Sequence, residues 1–104
     1  MEELKPFRKQ IDALDNEIIA LFGKRFEIIR EVAQLKSQKG IPAVLPDRID
    51  EVRDRCVKMG EEVHLDPEFI YQLYTLIIDH ACNLEENTKE YLQSREDVSQ
   101  NGTS

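Results

Sequence analysis

The sequence has no tryptophan, 7% aromatic residues, four glycines, four prolines and two cysteines. So few turn-forming residues argue against an all-β sandwich, which needs turns at short, regular intervals. Two cysteines, Cys56 and Cys82, are too few for a disulfide framework or a zinc centre; they read as reduced, small apolar side chains. No stretch approaches the roughly 18 apolar residues that cross a bilayer. The start, Met1-Glu2-Glu3-Leu4-Lys5-Pro6, lacks the basic end and apolar run of a secretory signal, so a cytoplasmic location is expected. Positive charge is outnumbered, with 14 Lys and Arg against 21 Asp and Glu. A formal net charge of −7 and a pI near 4.8 disfavour nucleic acid or an anionic membrane surface as partners.

What is present is charge in quantity and a helical rhythm. At 104 residues, 34% of them charged and 40% hydrophobic, the chain is one small globular domain, too small to enclose a large site alone. Its charge is uneven: residues 1–40 hold 8 of the 14 Lys and Arg but 7 of the 21 acids, a balance of +1 that leaves −8 for the rest. Cationic contacts to a small anion should therefore come mainly from the first segment.

That segment carries the clearest pattern. Ile11, Leu14, Ile18, Leu21, Ile28, Val32 and Leu35 alternate spacings of three and four, and the same rhythm fills its single gap with Arg25. One helix should start beside Pro6 and end near Gly40-Ile41-Pro42, where glycine can cap and proline forbids continuation. Such a helix, about 50 Å long, exceeds the diameter of a domain this size. The expectation is an intertwined homodimer in which two long helices run side by side, antiparallel, each completing the other's core.

Residues 40–46 form a partly covered loop, and a second helix follows with Asp47 near its start and Ile49, Val52, Cys56, Met59 and Val63 as its apolar stripe. Asp66 as N-cap and Pro67 at the first helical position open a third, with Phe69, Ile70, Leu73, Tyr74, Ile77, Ile78, Ala81, Cys82 and Leu84 on its apolar face. The fold class is thus all-α, a three-helix protomer. The helical domain spans 1–92, the third helix reaching about Leu92, and 93–104 form a disordered tail. The sequon at Asn101-Gly102-Thr103 would matter only in a secreted protein.

No Ser or Cys nucleophile stands beside a base, and there is no glycine-rich phosphate loop. His64 and His80 lack metal-ligand spacing and read as surface or capping residues, so neither metal nor cofactor is expected. The anomalies are charges on apolar faces. Arg25 lies on the seam of the first helix and Arg8 at its edge; Lys36, eleven residues past Arg25, returns to within about 20° of the same face about 16 Å along the axis. On the third helix Glu85 extends the stripe of Tyr74, Ile78, Ala81 and Cys82. Two readings stay open: a buried Arg25–Glu85 ion pair, or a cation-lined pocket for a small dianion with a protonated carboxyl as donor. Arg8 and Arg25, about 25 Å apart on one helix, converge on one ligand only if an antiparallel partner supplies Arg8.

The run Phe7-Arg8-Lys9-Gln10-Ile11-Asp12-Ala13-Leu14-Asp15, then Leu21-Phe22-Gly23-Lys24-Arg25, Lys36, Pro46-Asp47-Arg48 and Leu65-Asp66-Pro67-Glu68, resembles the all-helical chorismate mutase family over residues 4 to about 90. The resemblance implies an entwined dimer with two active sites that rearranges chorismate to prephenate. It also implies that Arg8 from the partner chain, Arg25 and Arg48 hold the substrate carboxylates and their surroundings, while Lys36 binds a carboxylate and the ether oxygen. Glu85 falls where the family has Gln or, in some members, Glu, donating to that oxygen. Val32, Ile78, Ala81 and Cys82 would line the same pocket. A carboxyl donates only while protonated, so activity should fall as pH rises.

Three positions depart from the family pattern: Leu45 where Asp is usual, Ile49 where Glu is usual, and Ala81 where Ser is usual. The stretch 36–42 with Cys82-Asn83-Leu84-Glu85 resembles the subgroup acting on 4-amino-4-deoxychorismate. The apolar residue after Arg48 also resembles isochorismate pyruvate lyases, which yield salicylate and pyruvate. A catalytically silent regulatory homologue is the remaining reading, disfavoured by the joint presence of Arg8, Arg25, Lys36 and Arg48.

Overall fold

The computed structural model describes residues 1–102, and side chains for 1–95. Three helices follow in order: α1 Lys5–Lys39, α2 Pro46–Glu62 and α3 Pro67–Gly102. Among the described residues, no helix is long and apolar enough to cross a membrane.

Local chemistry accounts for most of the boundaries. Proline opens α1 within its first turn, where an amide hydrogen would have no partner anyway. Gly40 closes it in the left-handed region at φ 68°, its N–H bonded to the Lys36 carbonyl. Pro46 starts α2 after an extended Leu45, and Asp66 caps α3 by accepting from the Glu68 N–H at 3.0 Å. The third helix does not stop near Leu92 but continues to Gly102. No glycine or proline intervenes between those residues, so nothing in the backbone chemistry breaks the helix earlier. The tail expected over 93–104 falls in part outside the described residues.

α2 and α3 form an antiparallel hairpin whose core is Val52, Cys56, Ile70 and Ile78, flanked by Ile49, Val57, Leu73, Tyr74 and Cys82. Gly60 permits their close approach: a Cβ there would lie 2.9 Å from Cγ1 of Ile70. Arg53 clamps the outer face, stacking 4.5 Å from the Tyr71 ring centroid and bonding both Thr75 and Asp50. α3 packs on its other side against the second half of α1, where Ala33 is buried and Phe26 meets the His80 ring edge-on at 5.1 Å.

The chain is therefore thin and long, 71 × 31 × 15 Å, with a radius of gyration of 19.1 Å. A compact chain of this length would have about 13 Å. Ile11, Leu14, Ile18, Leu21 and Ile28, the stripe that reads as a core face, are 48–62% exposed, and every residue from Met1 to Leu21 is exposed. Met59 and Phe69, assigned to apolar faces by their spacing, are also exposed, and Val63 is the residue that ends α2 rather than part of its stripe.

Candidate active site

One cavity of ≈ 350 Å³ opens where the second half of α1, the 40–45 loop, the first turns of α2 and the middle of α3 meet. α1 contributes Arg25, Val32 and Lys36 from one face, as their near-helical spacing requires. α2 contributes Arg48, Ile49 and Val52, with Leu45 just before it, and α3 contributes Ile78, Ala81, Cys82 and Glu85. All of these but Val52 are the ten positions expected at the site besides Arg8, and they meet in one space. Arg8 does not join them: it sits on the exposed first half of α1, about 25 Å along the axis from Arg25.

The charges are arranged unequally. Lys36 Nζ lies 2.8 Å from Glu85 Oε1 and donates to the Ala43 carbonyl at 3.0 Å. Glu85 thus pairs with Lys36 rather than with Arg25, because the lysine reaches the carboxylate from one turn before the end of α1. Glu85, only 6% exposed, is thus neutralised by Lys36. Arg25 Nη1 is different: it is buried without an acceptor, with its guanidinium 6.0 Å from the Phe26 ring centroid. A buried polar atom left unpaired costs about 1–3 kcal/mol, more when charged. A site that holds one on an arginine is suited to a ligand that brings the missing acceptor.

Burial pushes the Cys82 thiol up from its ordinary range, and the Glu85 carboxylate adds to the effect while Lys36 opposes it. Cys82 therefore presents a neutral thiol to the cavity. Behind the wall, burial and then the neighbouring Cys56 raise the Tyr74 phenol, against a smaller lowering by Arg25. The rest of the lining is aliphatic, including Ile28, Ile29 and Ala43. Ile28 was legible only as part of an apolar stripe, Ile29 carried no periodic signal, and nothing in the sequence marks the carbonyl of Ala43 as the partner of Lys36.

The family model for chorismate mutase type II matches residues 7–86. The chain is 33% identical over 93 residues to a chorismate mutase of Methanocaldococcus jannaschii, covering 89% of this chain and 91% of that one. It is 32% identical over 84 residues to a 4-amino-4-deoxychorismate mutase of Streptomyces venezuelae, covering 81% and 82%. A bifunctional chorismate mutase/prephenate dehydratase of Aquifex aeolicus matches at 32% over 92 residues, 86% of this chain but 25% of that longer protein. A match of this extent, on a three-helix protomer whose cations and lone acid share one cavity, makes the chain a member of the chorismate mutase type II family.

Proposed function

We propose that this protein is an isomerase that catalyses the [3,3] rearrangement of chorismate to prephenate, or of 4-amino-4-deoxychorismate to 4-amino-4-deoxyprephenate. The observation that carries the reading is the buried Arg25 Nη1, which has no acceptor, in one cavity with the Lys36–Glu85 pair. A cyclic dianion with an ether oxygen supplies the acceptor that Arg25 lacks. A carboxylate accepts from Arg25, and the ether oxygen accepts from Lys36 and from Glu85 in its protonated form.

Such a rearrangement breaks one C–O bond and forms one C–C bond within a single molecule, with no nucleophile and no base. The protein's part is to hold a flexible substrate in a compact chair and to stabilise negative charge on the oxygen as its bond stretches. The aliphatic walls compress the ring, Arg25 anchors a carboxylate, and Lys36 with Glu85 faces the oxygen.

The unit that acts is a homodimer with antiparallel α1 helices. In an antiparallel pair centred near Ile18, Arg8 of one chain comes level with about residue 28 of the other, beside the cavity. This supplies the second cation for a dianion and covers the exposed stripe. Leu45 and Ile49 make the wall beside Arg48 apolar, with no acidic or amide group for either a ring hydroxyl or a ring amine, so this wall does not choose between the two substrates.

The test is chromatography of products after offering purified protein chorismate, 4-amino-4-deoxychorismate and isochorismate separately across a pH series. Prephenate or its amino counterpart as the main product supports the reading and chooses between its two forms. Salicylate with pyruvate replaces it with a lyase, and no product from any substrate replaces it with a silent homologue.

A further inference from the structure

Two arginines on α2 each pair with an acid three residues away, yet they are held very differently. Arg53 bonds Asp50, bonds Thr75 and stacks on Tyr71, with its side chain 18% exposed: a fixed clamp. Arg48, which lines the cavity, pairs with Glu51 one turn further along the helix, and both side chains are open to solvent at 60% and 65%. Among the described residues Arg48 Nη1 has no other partner. Its guanidinium is thus engaged along the helix surface at the edge of the cavity.

We propose that Glu51 is a positioning residue that competes with the substrate for Arg48, parking the guanidinium at the cavity mouth until an incoming carboxylate displaces it. The inference rests on the reading of the cavity as a dianion site. An exposed i,i+3 ion pair is weak, so the exchange is shallow and fast and its cost falls on binding rather than on the chemical step. It also makes the mouth less positive before the ligand arrives, which the otherwise unopposed Arg25 does not.

The experiment compares Glu51→Gln with Asp50→Asn, which removes the same charge from the same helix but releases only the structural Arg53. Steady-state kinetics and calorimetric titration of a non-reacting cyclic ether dicarboxylate are run at low and high salt. Glu51→Gln is expected to lower KM and the dicarboxylate Kd about two- to fivefold at low salt with kcat unchanged, the gain shrinking at high salt. Asp50→Asn should leave KM where it was. An unchanged or raised KM in Glu51→Gln, or an equal gain in both variants, overturns the proposal. If wild-type protein turns over no substrate yet binds the dicarboxylate, the isomerase reading fails while the titration still decides the role of Glu51; if it binds no dicarboxylate, both fall.

Discussion

The two halves of α1 have much the same kind of sequence and opposite fates. From Lys5 to Leu21 the helix is exposed throughout, Ile11, Leu14, Ile18 and Leu21 included; from Phe22 onward it packs on α3 and turns Arg25, Val32 and Lys36 into a cavity. The apolar period runs through both, interrupted only at Arg25. What differs is only whether α3 lies alongside, which teaches that a heptad-like stripe announces a partner without saying whether it comes from the same chain. The first half therefore keeps an apolar stripe that nothing else in the described residues covers.

The most damaging way to break the comparison is Ile18→Asp. In an antiparallel dimer centred there, two carboxylates would be buried against each other, each costing about 3–5 kcal/mol uncompensated. Association and activity should both vanish, as read by sedimentation and product formation, whereas a monomeric wild type would make the change inconsequential. Lys36→Ala, in the other half, should cost about 10²–10³-fold in kcat/KM while leaving the sedimentation of the protein unchanged.

Mixing two inactive variants sharpens the contrast further. In a heterodimer of Arg8→Ala with Lys36→Ala, one site keeps both residues if Arg8 acts across the interface, so an equal mixture should recover about a quarter of wild-type activity. No recovery would place Arg8 elsewhere. Glu85→Gln takes the counter-charge from Lys36 while keeping a polar group of the same shape, so kcat/KM should change without loss of the fold; an unchanged kcat/KM would remove Glu85 from the chemistry. The smallest effect concerns Cys82. With its thiol raised by burial and by Glu85, it stays protonated to higher pH than an unhindered thiol, so iodoacetamide should label it slowly at neutral pH and faster as pH rises. A dicarboxylate in the cavity should block that labelling.

Much of this architecture was readable beforehand, and for physical reasons. Helix starts at Pro6, Pro46 and Asp66-Pro67 are written in local backbone chemistry, and charges such as Arg25 and Glu85 stand out because they interrupt an apolar period. The partner of Glu85 was not readable, since Arg25 and Lys36 share a helical face and only the packing of α1 on α3 decides which ammonium or guanidinium arrives. Nor was the exposure of Met59 and Phe69, because periodicity reports which side of a helix is apolar and not what covers it. The end of α3 was misplaced because polar residues from Gln93 to Asn101 resemble a tail in composition while containing nothing that stops a helix.

The contact between Lys36 and the Ala43 carbonyl has an evolutionary consequence. An oxygen of the main chain is present whatever residue occupies the position, so no point mutation can delete the lysine's anchor. What places that oxygen is the number of residues between the Gly40 cap and the Pro46 helix start. Drift in the identity of these loop residues is thus buffered, whereas gain or loss of one would displace the charge, and homologues are expected to vary there in letters far more freely than in length.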